Sequence, residues 1–288
     1  MKKIDIHAHV RPKKYDVNQR WLTEEKQFEI YDKLQIEKGG ILPLLFEGET
    51  PWLLTAENAK ELADENPEKF FWYTTVDLLK FDEKTDELYE FLKSEKASGA
   101  KGVGEITTNI DFDDEKTHAL FSACEKLKLP VLSHISPEKG SEYGLCDSVG
   151  LYNLEKMLKL YPDMIYIGHS FAFWCEITKV NEETRLNPPD SEVDEGRIAE
   201  LMRENKNLYC DLSAGSGATA MMRDERYAVK FINEFQDRIM YGCDITSEDF
   251  HVQKEFSDFL DNLVNKNLIS ESVYRKVVRE NAIKVFNI

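Results

Sequence analysis

The chain has 288 residues, 42% hydrophobic and 32% charged, which is ample material for the core of a globular protein. Its formal net charge of −17 excludes broad contact with a nucleic-acid backbone or an anionic membrane surface, since both need a Lys/Arg-rich face. Five cysteines (Cys124, Cys146, Cys175, Cys210, Cys243), odd in number and without CxxC spacing, read as reduced thiols of a cytoplasmic protein.

In Met1–Val10, Ile4, Ile6, Ala8 and Val10 alternate with Asp5, His7 and His9, the period-two pattern of a β-strand. His7 and His9 then project from one side, roughly 6–7 Å apart along the strand, where two imidazoles can share a divalent metal. The plainer alternative is a hydrogen-bonded pair on a solvated edge. The same polar residues interrupt the apolar run that a signal peptide would need after Lys2-Lys3, and no later stretch nears the roughly 20 apolar residues of a membrane span.

An amphipathic helix is expected from Thr23, its N-cap, to Lys38, stopped by Gly39-Gly40. Ile41–Phe46 reads as a buried strand, Thr55–Asn66 as a helix stopped by Pro67, and Phe70–Val76 as a third strand. Helix Asp82–Ser98, strand Gly99–Ile106 and helix Glu115–Leu127 follow, then strand Leu129–Ile135 and helix Leu151–Leu160. Strand Met164–His169 precedes a long connection, Ser170–Glu192, and a helix over Val193–Asn205. Strand Leu208–Leu212, a turn at Ser213–Gly217, helix Tyr227–Phe235, strand Ile239–Asp244 and two closing helices complete the chain.

Eight strands alternating with helices indicate parallel β/α units, and eight is the number that closes a (β/α)8 TIM barrel. The expected fold is therefore an α/β TIM barrel with C-terminal helices, one domain over residues 1–288. An open doubly wound sheet is the alternative, but it would be marked by an early GxGxxG, which is absent.

Active sites of such barrels lie at the C-terminal ends of the strands. His7 and His9 end the first strand, Glu105 the fourth, His134 the fifth, His169 the sixth and Asp244 the eighth. Singly, Glu105 could cap a turn, and His134 or His169 could be a satisfied core histidine. Together they point to a metal site on one rim. The other two of the six histidines, His118 and His251, read as surface residues.

The succession His-x-His, Glu, His, His, Asp on strands 1, 4, 5, 6 and 8 resembles the amidohydrolase superfamily. Ile4–His9, Ile167–Ser170, Arg238–Asp244 and Glu280–Ile288 are similar to its amidohydrolase-related branch, which holds metal-dependent hydrolases and non-oxidative decarboxylases. The single-metal decarboxylases lack a carboxylate on strand 4, whereas Gly102–Ile106 resembles the TatD-like hydrolases, in which that glutamate bridges two metals.

The resemblance implies two divalent ions in preference to one, zinc before manganese or iron. His7, His9 and Asp244 would hold the first and His134 and His169 the second, with Glu105 between them and Asp244 moving the proton. With one ion, His7, His9, His134 and Asp244 would bind it and His169 would serve as acid/base. The implied activity is hydrolysis of an amide, ester, lactone or phosphoester of a small molecule. Decarboxylation of an unsaturated or aromatic acid is the alternative; a nuclease is disfavoured by the charge and a non-catalytic scaffold by the presence of Asp244.

Arg11, two residues past His9, is a candidate to meet a substrate carboxylate or phosphate, against a plain solvated arginine. The Ser170–Glu192 connection is long enough for a lid, with Trp174 and Arg185 as candidate substrate contacts, or else packs on the barrel. Ser213–Gly217 reads as a tight turn rather than an anion cradle. A homodimer is expected from the base rate of soluble assemblies.

Overall fold

The structure is a computed structural model that describes residues 1–14, 21–46, 52–83, 85–141, 143–188 and 192–288. Eight parallel strands form the barrel: β1 (Lys3–Ala8), β2 (Ile36–Ile41), β3 (Phe70–Trp72), β4 (Val103–Ile106), β5 (Val131–Ser133), β6 (Tyr166–Gly168), β7 (Leu208–Asp211) and β8 (Ile239–Met240). They pair in the orders β1-β2-β3 and β4-β5-β6-β7-β8. Backbone hydrogen bonds join both seams. Gly104 N donates to Thr74 O (2.8 Å) between β3 and β4, and Ile6 N donates to Tyr241 O (3.1 Å) between β1 and β8.

The strands are buried on both faces, as parallel strands covered by helices must be. Ile4, Ile6, Leu42, Phe71, Tyr73, Leu132, Ile167, Tyr209 and Met240 form one apolar cluster, contributed strand by strand, and Phe286 of the last helix packs with it. A larger cluster, with residues such as Tyr31, Leu62, Leu120, Leu154 and Phe231, joins the strands to the surrounding helices. No helix among the described residues is long and apolar enough to cross a membrane.

Several boundaries differ from the sequence expectation. The first helix begins at its Thr23 cap but ends at Leu34, with Gln35 left-handed at φ 58°. Gly39 and Gly40, read as a helix stop, are instead strand residues of β2: the Tyr31 ring lies over the one, and the Phe71 and Tyr73 rings over the other. Leu44–Phe46 then forms a separate antiparallel ribbon with Trp52–Leu54. Ser213–Gly217 is not a tight turn but the start of a helix, Ala214–Met222. The connection after β6 folds into a short helix, Phe171–Trp174, and a 3-10 turn, Cys175–Ile177; its residues 189–191 lie outside the described ones.

Candidate metal centre

His7, His9, Glu105, His134, His169 and Asp244 converge at the C-terminal end of the barrel. His7 Nε2 and His9 Nε2 are 3.1 Å apart. Glu105 divides its carboxylate between two groups. Oε2 lies 3.7 Å from His7 Nε2 and 3.5 Å from His9 Nε2, while Oε1 is 2.9 Å from His134 Nδ1 and 3.9 Å from His169 Nε2. Asp244 Oδ1 is 3.8 Å from His7 Nε2 and 3.5 Å from His9 Nε2.

The donor set fits a cation. His9 Nδ1 is 2.9 Å from the Leu42 carbonyl, which can only accept, so this nitrogen carries the proton. His7 Nδ1, at 2.7 Å from Asp211 Oδ2, carries one as well. With both rings neutral, the two Nε2 lone pairs face each other at 3.1 Å, an arrangement that repels unless a proton or a metal ion lies between or beside them. Three overlapping groups have the ligand atoms for that charge: His7/His9/Glu105, His7/His169/Asp244 and Glu105/His134/His169.

The electrostatics agree. Burial works against charge on His7, but Asp244, Asp211 and Glu105 outweigh it and raise its pKa well above the ordinary value. Burial would likewise raise Glu105, yet the hydrogen bond with His134 and the nearby imidazoles of His7 and His9 hold its carboxyl well below the usual range. The cage is thus built to retain anions and to attract cations.

A cavity of about 270 Å³ opens onto this rim, with His9, Glu105 and Asp244 among its lining and Trp21, Leu44 and Tyr143 on its walls. Asp244 reaches it from a left-handed backbone position (φ 52°), one that aspartate tolerates better than most residues. The Trp21 ring lies 4.9 Å from that of His9, and the Tyr143 ring 4.2 Å from that of His134.

The three candidate substrate contacts lie elsewhere. Arg11 is buried and its Nε donates to Trp21 O (2.8 Å), so it fixes a wall of the cavity from behind. Trp174 is buried against Phe173 and Phe231, and its Nε1 donates to Asp211 O (2.9 Å). Arg185 is buried too, donating to the carbonyls of Asp147 (2.6 Å) and Ala172 (3.4 Å) beside Glu176 (3.4 Å). His118 and His251 are outside the site, paired with Asp113 and Asp249.

Four residues of the site were missed by sequence reasoning. Asp211 ends β7 as Glu105 ends β4, and applying the same strand-end rule to Leu208–Leu212 would have found it. Ser213, Trp21 and Tyr143 arrive on connections whose local pattern carries no such signal.

The amidohydrolase family model matches residues 4–288, and the chain belongs to that family. It is accordingly an enzyme of the amidohydrolase superfamily. No curated protein matches it. Among solved structures, an uncharacterized TIM-barrel protein from Bordetella bronchiseptica is 16% identical, with a TM-score of 0.71 over 100% of this chain and 99% of that one. A 2,6-dihydroxybenzoate decarboxylase from Rhizobium is 15% identical (TM-score 0.62, 100% and 99% covered). A probable 2-pyrone-4,6-dicarboxylic acid hydrolase from Acinetobacter baumannii is 13% identical (TM-score 0.59, both chains covered in full). At these identities the likenesses establish the shared TIM-barrel fold.

Proposed function

We propose that the protein is a metal-dependent hydrolase of a small molecule, cleaving an amide, ester, lactone or phosphoester bond with water. The observation that carries this reading is the split carboxylate of Glu105. Its two oxygens face two different histidine groups, as a ligand shared by two ions must. Two ions per chain, zinc foremost, suit the imidazole and carboxylate donors, with His7, His9 and Asp244 around one and His134 and His169 around the other. Bound there, divalent cations lower the pKa of a water towards neutrality and polarise the scissile group.

The chain's own residues supply the rest. Asp244 borders the cavity and is the carboxylate placed to take a proton from the attacking water and return it to the leaving group. His169 offers a ligand atom within 4.8 Å of that of Asp244. Trp21 and Tyr143 narrow the approach, and the small cavity suits a small substrate rather than a polymer. The five buried cysteine thiols suit the reducing cytoplasm.

Elemental analysis of wild type and Glu105→Gln side by side tests the reading. About two equivalents of metal falling to one or fewer supports it, and lactones, amides and phosphoesters are then the substrates to screen. One equivalent in both proteins removes Glu105 from the bridging role and directs the search to carboxylic acids and released CO₂. A folded wild type that holds no metal overturns the reading altogether.

A further inference from the structure

One buried carboxylate touches the ligands without belonging to any of the three ligand groups. Asp211 is fully inaccessible; its Oδ2 accepts from His7 Nδ1 (2.7 Å) and Ser213 Oγ (2.6 Å) and lies 3.0 Å from His169 Nδ1, and Ser213 Oγ is itself 3.2 Å from both Nδ1 atoms. Its Oδ1 accepts from Ser213 N (2.9 Å), and its backbone carbonyl is held by Trp174 Nε1 (2.9 Å). Gly242 closes the remaining side, since a Cβ there would collide with Oδ1. The carboxylate is fixed on every side.

The two imidazoles it holds reach every ligand group of the site. His7 is grouped with His9 and Glu105, His169 with Glu105 and His134, and both with Asp244. We propose that Asp211 is a positioning residue that couples the two cation subsites: by holding a proton on Nδ1 of His7 and of His169 at once, it presents both Nε2 lone pairs together. Both subsites then depend on one carboxylate. This rests on the metal reading of the site and not on the reaction assigned to it.

The coupling follows from geometry and charge. A carboxylate behind an imidazole selects the tautomer, orients the ring and strengthens the ligand nitrogen. Here one oxygen does so for two rings, so anything that removes its charge weakens ligands on both sides. Asparagine at 211 offers one neutral acceptor oxygen to two ring N–H groups, and its NH₂ cannot accept at all.

The test uses the full chain, zinc as the probe and a competing chelator to read affinity. Wild type should bind two equivalents. Asp211→Asn should weaken both, each about 10–100-fold, the usual loss when a partner behind a metal ligand is removed. Ser213→Ala, which keeps both ring contacts to the carboxylate, should weaken both in the same parallel manner but less. An Asp211→Asn chain that loses one equivalent and keeps the other at wild-type affinity overturns the coupling, as does one that keeps both.

Should Asp211→Asn fail to fold, long-range ¹H–¹⁵N spectra of zinc-loaded wild type decide the matter. Protons on Nδ1 of both His7 and His169 are required, and a proton on Nε2 of either ring overturns the proposal. Wild type without bound zinc is a different failure, that of the metal reading.

Discussion

Glu105 and Asp211 at the strand ends, and Asp147 and Glu176 in the connections after β5 and β6, are all at most 2% exposed. Burial alone pushes every one of them towards the neutral acid. Glu105 and Asp211 nevertheless stay well below the usual carboxylate range, because His134, His7 and His9 surround the first and His7, His169 and Ser213 the second. Asp147 is instead pushed up to about 6 and Glu176 to about 7 by burial. Their donors are backbone N–H groups of Leu154 (2.8 Å) and Gly150 (2.9 and 3.0 Å), with one shared cation, Arg185. That arginine bonds the carbonyl of Asp147, not its carboxylate, and approaches Glu176 at 3.4 Å. Equal burial therefore gives opposite chemistry. The rim keeps its negative charge and demands a cation, whereas the second cluster, a structural joint, takes up protons closer to neutral pH.

The largest effect should come from the rim. Asp244→Asn keeps the shape of the side chain and removes the proton acceptor beside the cavity. On whichever ester, amide or phosphoester wild type turns over, kcat should fall about 10²–10⁴-fold, the usual contribution of a positioned acid/base. A kcat within a few-fold of wild type would sink the proton-transfer role, whatever the metal content.

The joint should fail by unfolding rather than by losing chemistry. Arg185→Met leaves Asp147 and Glu176 buried without their cation, and breaking such a cluster costs about 3–5 kcal/mol. Urea unfolding near pH 8 should show that loss, and Arg185→Met combined with Glu176→Gln should recover part of it. Full stability in the single variant would mean that the arginine does not offset the buried charge.

The barrel was legible because strand-end polar residues interrupt apolar runs, a signal that survives any uncertainty about boundaries. His7, His9, Glu105, His134, His169 and Asp244 all followed from it. Asp211 carries the same signal at the end of β7. The helix at Ala214–Met222 was hidden by its glycines, each about 1 kcal/mol poorer than alanine in a helix. Tertiary packing overrides that cost, for Gly217 lies against the Leu212 backbone where a Cβ would clash. Gly39-Gly40 misled in the opposite direction, because rings from distant residues, not a turn, require the absent side chains. The burial and partners of Arg11, Trp174 and Arg185 are set by distant residues and could not be read from their places in the chain.

The smallest effect, and the sharpest for the comparison, is the pH dependence of stability in chelated, metal-free protein. Glu176 titrates at about 7 in the folded chain against an ordinary 4.5, and Asp147 at about 6 against 3.8. Between roughly pH 4 and 7 the folded state therefore binds more protons than the unfolded one, so their contribution is complete at the acid end and is lost as pH rises. Glu105 and Asp211 have depressed values, and their contribution is present above about pH 4 and lost as pH falls below it. The two clusters thus act in separate windows with opposite signs. Glu176→Gln should flatten the decline between pH 4.5 and 7, by on the order of 1–2 kcal/mol, while leaving the acid limb below pH 4 in place. An unchanged decline in the variant would mean that Glu176 is already ionised in the fold, and the contrast between the clusters would rest on Asp147 alone.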